Sequence, residues 1–242
     1  MNDADAYDLV VVGAGAGGMT AALVGALEGL RVLVLEKTAQ VGGTTSRSSG
    51  SVWVPDNAQQ AALGITGDAE RALAYLDALV GDRADRTLRT TYVAQAPRAL
   101  AYLDARAGIA FRVYPHAPDY RPDLPGALAG GRSLEPLPFD GRTLGADFAR
   151  VRTTLPEFTV FGGMMVTRPE VAQLLRLPGS PKAWTLALRL VVRYAVDRLR
   201  YSRGTRLVLG NALAARMYAA LKRLGVVFAF NTTATQLARD VA

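Results

Sequence analysis

The order of apolar and polar positions predicts strand, helix and strand in the first stretch of the chain. Leu9-Val10-Val11-Val12, led in by Tyr7 and Asp8, is a short apolar run that reads as a buried strand. Residues 19–30 read as a helix, and Arg31-Val32-Leu33-Val34-Leu35 reads as a second strand closed by Glu36. From Asp56 the period changes. Asp68 can cap a helix over 68–80 with Ala72, Leu73, Leu76 and Leu79 on one face. A second helix is expected over 85–107, kinked or split at Pro97 and ended by Gly108. Residues 109–114 follow as a strand, and the Pro- and Gly-rich stretch 115–145 is expected to be an ordered loop over a cleft. Beyond it lie a short helix at 168–177 and a longer one at 182–201. On the latter, Trp184, Leu188, Val191, Val192, Ala195 and Leu199 form an apolar stripe. Core packing is the reading preferred for that stripe, with a membrane-facing helix as the alternative. A helix at 212–224 with Gly225 as its C-terminal stop, and a strand at 226–230, complete the pattern.

Between the first strand and the first helix stands Gly13-Ala14-Gly15-Ala16-Gly17-Gly18. This is the dinucleotide fingerprint in its full context of strand, turn, helix, strand and acid. Gly13 permits the turn, Gly15 lets a diphosphate approach the backbone, and Gly18 lets the helix pack close to the strand. The helix N-terminus offers free N–H groups and its positive dipole end to the phosphates. Glu36 is placed to accept hydrogen bonds from a ribose diol.

Composition narrows the remaining possibilities. With 242 residues, half of them hydrophobic, the chain can bury a sizeable core in one large domain or two small ones. It has no cysteine, which excludes disulfides and thiolate metal sites, and one histidine, which makes a zinc site or a Ser-His-Asp triad a poor fit; no metal is expected. There is no apolar run long enough for a transmembrane span and no signal peptide, so a cytoplasmic location is expected. The net charge of +7 comes mostly from arginine, with Lys37, Lys182 and Lys222 the only lysines. Arg189, Arg193, Arg198, Arg200, Arg203 and Arg206 cluster. No nucleic-acid motif accompanies the charge, so a solvated basic face is the expectation, not a nucleic-acid partner.

A second run of small residues follows the acid at once. It reads Lys37, then Gly42-Gly43-Thr44-Thr45-Ser46-Arg47-Ser48-Ser49-Gly50-Ser51-Val52-Trp53-Val54-Pro55. This run resembles the FAD-dependent oxidoreductases of the fumarate reductase and succinate dehydrogenase flavoprotein group, and within it the 3-ketosteroid dehydrogenase branch. The resemblance implies that the small residues pass beside the isoalloxazine ring, where only small side chains permit close backbone approach. Ser49 departs from the branch, which tends to have Gly there. Pro118-Asp119-Tyr120-Arg121-Pro122-Asp123-Leu124-Pro125-Gly126 resembles a segment of the same branch whose tyrosine reaches the substrate pocket. Gly130-Gly131-Arg132-Ser133-Leu134 and Phe139-Asp140-Gly141-Arg142-Thr143-Leu144-Gly145 fit it too.

The resemblance implies an α/β fold: a Rossmann-like, GR2-type FAD-binding domain with an inserted, mainly helical substrate or cap domain, C-terminally truncated. The expected limits are 1–55 and 205–242 for the FAD-binding domain and 56–204 for the insert. Gly13, Ala14, Gly15, Ala16, Gly17, Gly18, Glu36, Lys37, Gly42, Gly43, Thr44, Thr45, Ser49, Gly50 and Ser51 would bind FAD, with the backbone near Ala234 meeting the adenine. Relatives with covalent flavin carry a histidine near the Gly-Gly-Thr segment. None stands there, so noncovalent FAD is expected; His116 reads as structural or solvated.

The implied reaction is removal of a proton alpha to a ketone by a tyrosinate, with hydride passing to flavin N5 while a hydroxyl and a backbone N–H polarise the ketone. The partners implied are a small apolar ketone and the missing C-terminal half. Tyr120 is the one catalytic candidate, since the family's main catalytic residues lie beyond residue 242. The isolated chain is accordingly expected to be inactive. Two alternatives stay open: a fumarate-reductase-like enzyme using convergent arginines such as Arg121 and Arg132, and a noncatalytic remnant that at most binds FAD.

Overall fold

A computed structural model describes residues 6–237. Residues 1–5 and 238–242 of the expected FAD-binding segments lie outside the described residues. The chain forms two compact units, Ser51–Leu137 and the remainder.

The remainder begins with Leu9–Val12 (β1), Ala16–Leu27 (α1) and Val32–Glu36 (β2), the expected unit. β1 and β2 are parallel, with Val11 opposite Val34. α1 lies so close to β1 that a Cβ on Gly25 would sit 2.7 Å from Leu9 Cδ2.

The Ser51–Leu137 unit holds Val52–Trp53 (β3), Ala69–Val80 (α2), Arg86–Ala107 (α3), Phe111–Val113 (β4) and Ser133–Pro136 (β5). β5 is the middle strand, antiparallel to both β3 and β4. Of the two outcomes expected at Pro97, the split does not occur; α3 runs through it as one helix and ends at Gly108 with φ 69°. The proline removes one rung of hydrogen bonding, and the capped ends, with Asp85 accepting from Thr87 N, hold the helix on either side.

Beyond Leu137 come Phe139–Asp140 (β6), Thr159–Val160 (β7), Met164–Met165 (β8), Arg168–Leu174 (α4), Pro181–Arg198 (α5), Arg206–Leu207 (β9), Leu209–Arg223 (α6) and Val227–Phe230 (β10). Residues 138–204, expected in the insert, pack instead with the fingerprint. Val41 N–H donates to Arg150 O at 2.7 Å and Arg152 N–H to Val41 O at 3.0 Å, which binds this segment to the turn after β2. β10 pairs parallel with β2, so the main sheet runs β1-β2-β10.

The core lies on one face of that sheet. α6 is its centre, with Ala212, Ala214, Ala215, Met217, Tyr218 and Leu221 buried. Tyr218 meets Phe228 edge-on at 5.1 Å between ring centres, and burial beside Asp147 pushes its hydroxyl up to about 12. The other face is open: Val10, Val12 and Val227 are 50%, 60% and 44% exposed. The first strand is therefore buried on one side only, contrary to its even apolar pattern. Parallel sheets are ordinarily covered on both faces, which is what that pattern anticipates.

Candidate functional site

The turn from β1 into α1 builds an open backbone cradle. Gly13 takes φ +97°, and its N–H donates to Leu35 O at 2.7 Å. Gly15 precedes the helix in extended conformation and offers no side-chain cap of its own. The N–H groups of Gly15, Gly17 and Gly18 find no acceptor among the described residues and remain available to a ligand. A Cβ built on Gly13, Gly15 or Gly17 meets nothing within 4 Å, so the space in front of the turn is empty of protein. Gly18 serves the opposite purpose. Its Cβ would fall 1.9 Å from Gly13 O, and only glycine lets the helix start this close to the strand.

Glu36 is held ready at the end of β2 and is only 7% exposed. Its Oε2 accepts Ala14 N–H at 2.9 Å, and its Oε1 accepts the Thr38 N–H and hydroxyl, both at 2.9 Å. The carboxylate cannot swing away, and it retains lone-pair capacity for a diol. Bare glycine backbone, helix N-terminal donors and a fixed carboxylate fit a dinucleotide such as FAD.

The second glycine segment lies against the first. Gly42 N–H donates to Ala14 O at 2.7 Å, and a Cβ on Gly43 would be 3.7 Å from Gly15 Cα. Thr45 Oγ1 accepts Ala16 N–H at 3.1 Å. Thr44, Lys37 and Ser51 are exposed, and Ser49 is half-buried. Gly50, at φ +64°, packs on Gly210 at the start of α6, its built Cβ 2.6 Å from Gly210 Cα. The sheet end is joined to the segment after β10, where Thr232 N–H donates to Glu36 O at 3.0 Å; Ala234, two residues on, is exposed.

Sequence reading missed several parts of this arrangement. Gly210 cannot carry a side chain, since its Cβ would sit 1.9 Å from Thr45 O; its N–H donates to Ser48 O at 3.0 Å. Leu209 takes the strained φ of 56° just before it. Asn211 is fully buried, accepts from Arg203 at 2.8 Å and donates to Arg152 O at 2.6 Å. Arg203 lies over the Phe148 ring, and burial lowers its guanidinium to about 10. The Gly-Asn pair at the head of a helix was the available signal. Ser46 is also buried, and its hydroxyl has no partner among the described residues. Beside Ser49, a cavity of about 370 Å³ is lined by Phe158, Val160, Val166, Val171, Arg168 and Leu209.

Tyr120 belongs to the Ser51–Leu137 unit and is fully exposed. Its neighbour Asp119 is buried, accepting Trp53 Nε1–H at 2.7 Å and Leu128 N–H at 2.9 Å, so the loop is ordered from its base. Arg132 is 1% exposed and fully engaged: it meets both oxygens of Asp68, Asp119 Oδ2 at 2.7 Å and Gly126 O at 2.9 Å. Arg121 forms an exposed pair with Asp123 at 2.6 Å. Arg132 is thus a structural ion and not a free recognition arginine, contrary to the role the fumarate-reductase-like alternative gave it. Its apolar surroundings explain this, because Trp53 and Tyr75 flank the guanidinium.

Comparison with known proteins agrees with this geometry. The profile of the FAD binding domain family matches residues 8–242. The 3-oxosteroid 1-dehydrogenase of Mycolicibacterium smegmatis is 34% identical over 96% of this chain and 40% of its own length. The 4-oxocyclohex-2-ene-1-carboxylate 5-dehydrogenase of Sinomonas cyclohexanicum is 35% identical over 93% of this chain and 38% of its own. The crystal structure of 3-ketosteroid delta1-dehydrogenase from Sterolibacterium denitrificans, in complex with 1,4-androstadiene-3,17-dione, superposes with a TM-score of 0.80 at 34% identity. That superposition covers 93% of this chain and 40% of the crystal chain. The chain spans about 40% of the length of these relatives. Its cofactor is FAD, and the chain belongs to the FAD binding domain family.

Proposed function

We propose that the chain serves in a flavin-dependent dehydrogenase that introduces a double bond beside a ring ketone, with a 3-ketosteroid or similar apolar cyclic ketone as substrate. The observation that carries this reading is the match of the whole cradle and its surroundings to ketosteroid dehydrogenases at 34% identity. FAD, held noncovalently, supplies the hydride acceptor. The chain's own residues do the holding. The N–H groups at Gly15, Gly17 and Gly18 take the diphosphate, Glu36 takes the ribose, and Gly43 to Gly50 leave room for the ring. The cavity beside Ser49 offers apolar surface for a ketone, and Tyr120, exposed on the anchored loop of the Ser51–Leu137 unit, is the candidate hydroxyl. The open sheet face over Val10 and Val12 awaits cover from the remainder of the enzyme.

A second reading rests on Arg168, which lines the same cavity. A guanidinium there suits a ring ketone that also carries a carboxylate.

Turnover separates these readings. The chain alone, given FAD, a 3-ketosteroid and an artificial electron acceptor, is expected to be inactive. Half a cleft cannot hold substrate in the reactive pose that lowers a barrier by about 7–11 kcal/mol. Joined to the unmatched remainder of the M. smegmatis relative, it should retain flavin and dehydrogenate the steroid. In that chimera Tyr120→Phe should lower turnover more than flavin content. A flavin-loaded chimera active only on cyclohexanone carboxylates would replace the first reading with the second, and turnover by the chain alone would overturn the dependence on a remainder.

A further inference from the structure

Among the described residues, four other than glycine stand at positive φ. Asp56 and Asn231 are of the two types that tolerate it. Phe161 and Leu209, at φ 51° and 56°, are bulky and do not. Both belong to the cavity beside Ser49. Leu209 lines it, and Phe161 follows Val160, which lines it as well. Strain of this kind persists only where the surrounding structure imposes it, and it concentrates at ligand sites.

The packing of α6 imposes it at Leu209. The chain leaves β9 at Leu207 and, three residues on, offers Gly210 N–H to Ser48 O at 3.0 Å. Gly210 is pressed so close to the 45–50 segment that its Cβ would lie 1.9 Å from Thr45 O. The left-handed turn therefore falls on residue 209. Glycine or asparagine would make that turn at little cost. Leucine makes it under strain, and what leucine adds is a branched, half-buried apolar side chain in the cavity lining.

The lining divides by chemistry. Phe158, Val160, Val166 and Val171 join Leu209 as apolar surface, whereas Glu157 and Arg168 carry the charges. The Leu209 side chain has no donor or acceptor. A hydroxyl or carboxylate set against it gives up water and gains no partner, while an apolar ring gains by leaving water.

We propose that Leu209 is a specificity-determining residue of this cavity, admitting the apolar ring of a fused-ring ketone and rejecting rings that carry a polar group at that end. Leu209 has this role on the reading of the cavity as a ring-ketone site. The left-handed backbone at residue 209 is what holds the side chain in place.

Binding, unlike turnover, is read on the 242-residue chain with FAD in excess. Equilibrium dialysis with 4-androstene-3,17-dione and with 4-oxocyclohexanecarboxylate compares the unaltered chain with Leu209→Asn, Leu209→Gly, Leu209→Ala and Leu209→Met. The steroid should bind the unaltered chain and Leu209→Met alike. It should bind Leu209→Asn and Leu209→Gly at least about tenfold more weakly, with the carboxylate changed by less than about twofold. Thermal melting supplies a second readout. Asparagine, glycine and alanine all remove the apolar branch, but only the first two relieve the strain. Their midpoints should lie about 2–4 °C above that of Leu209→Ala, the reverse of the order at an ordinary helical position, where alanine is best. Undiminished steroid binding in folded Leu209→Asn or Leu209→Gly, or an unchanged preference between the two probes, overturns the role of Leu209 alone. So does a Leu209→Ala midpoint above those of the other two. An unaltered chain that binds FAD but not the steroid overturns the ring-ketone reading of the cavity, and the role of Leu209 with it.

Discussion

Arg132→Ala is expected to destabilise the Ser51–Leu137 unit by about 3–5 kcal/mol, because it strands two buried carboxylates. Asp68 is 1% exposed and Asp119 is 5% exposed, and Arg132 bonds both. Burial alone would raise the Asp68 carboxyl; the Arg132 and Gln60 hydrogen bonds and the Arg132 charge outweigh it and hold the group below its ordinary value of 3.8. A carboxyl lowered on folding contributes stability that is present above its unfolded value and is lost as pH falls through the folded one. The penalty of Arg132→Ala should therefore be largest at neutral pH and shrink below about pH 4, where protonation removes the stranded charge. Urea unfolding followed by Trp53, 5.4 Å from the guanidinium, reads this unit locally in a Trp184→Phe background. A loss under about 1 kcal/mol, or one independent of pH, would show that the buried ions are not what holds the unit together.

Gly18→Ala is expected to remove flavin retention while leaving most of the fold. The new Cβ would meet Gly13 O at 1.9 Å, Gly13 C at 3.1 Å and Val11 Cγ1 at 3.2 Å. Two of these atoms are backbone and cannot rotate aside, so α1 must shift away from β1 and carry its N–H donors with it. Overpacking of this kind costs about 1–3 kcal/mol in stability, and each 1.4 kcal/mol lost from cofactor contacts is about tenfold in affinity. Gly179→Ala is the matched control, since it lies outside the cradle and its Cβ meets nothing within 4 Å. Equal flavin content in the two variants would contradict the close-packing role of Gly18.

The cofactor cradle was legible in the sequence because its requirements are local. A left-handed Gly13, a close-packed Gly18 and an acid at the end of β2 are each dictated by residues within one strand-turn-helix-strand unit. What escaped reading depends on distant partners. Gly210 is indispensable because Thr45 O passes beneath it, and no periodicity encodes that approach. Residues 138–204 join the fingerprint unit through the Val41 and Val151 backbones, and backbone bridges leave no mark on side-chain pattern. Arg132 looked available because Asp68, which takes both ends of its guanidinium, stands 64 residues away in the chain. The α5 stripe shows the limit of amphipathic reasoning. Periodicity reports that two faces differ; here both carry apolar residues, and the buried Asp197, which accepts Thr205 N–H, decides which one faces inward. The stripe expected in the core is the outward one, with Trp184 62% and Leu188 66% exposed.

Titration of the purified chain with FAD, followed by quenching of flavin fluorescence and repeated with Glu36→Ala, tests the cradle most directly. Saturable, noncovalent binding should appear in the unaltered chain. Glu36→Ala should weaken it by about 1.5–3 kcal/mol, roughly 10- to 150-fold, through loss of charge-assisted hydrogen bonds to the ribose. Binding of equal strength in both proteins, or in neither, would contradict the assignment of residues 13–18 and Glu36 as the FAD site.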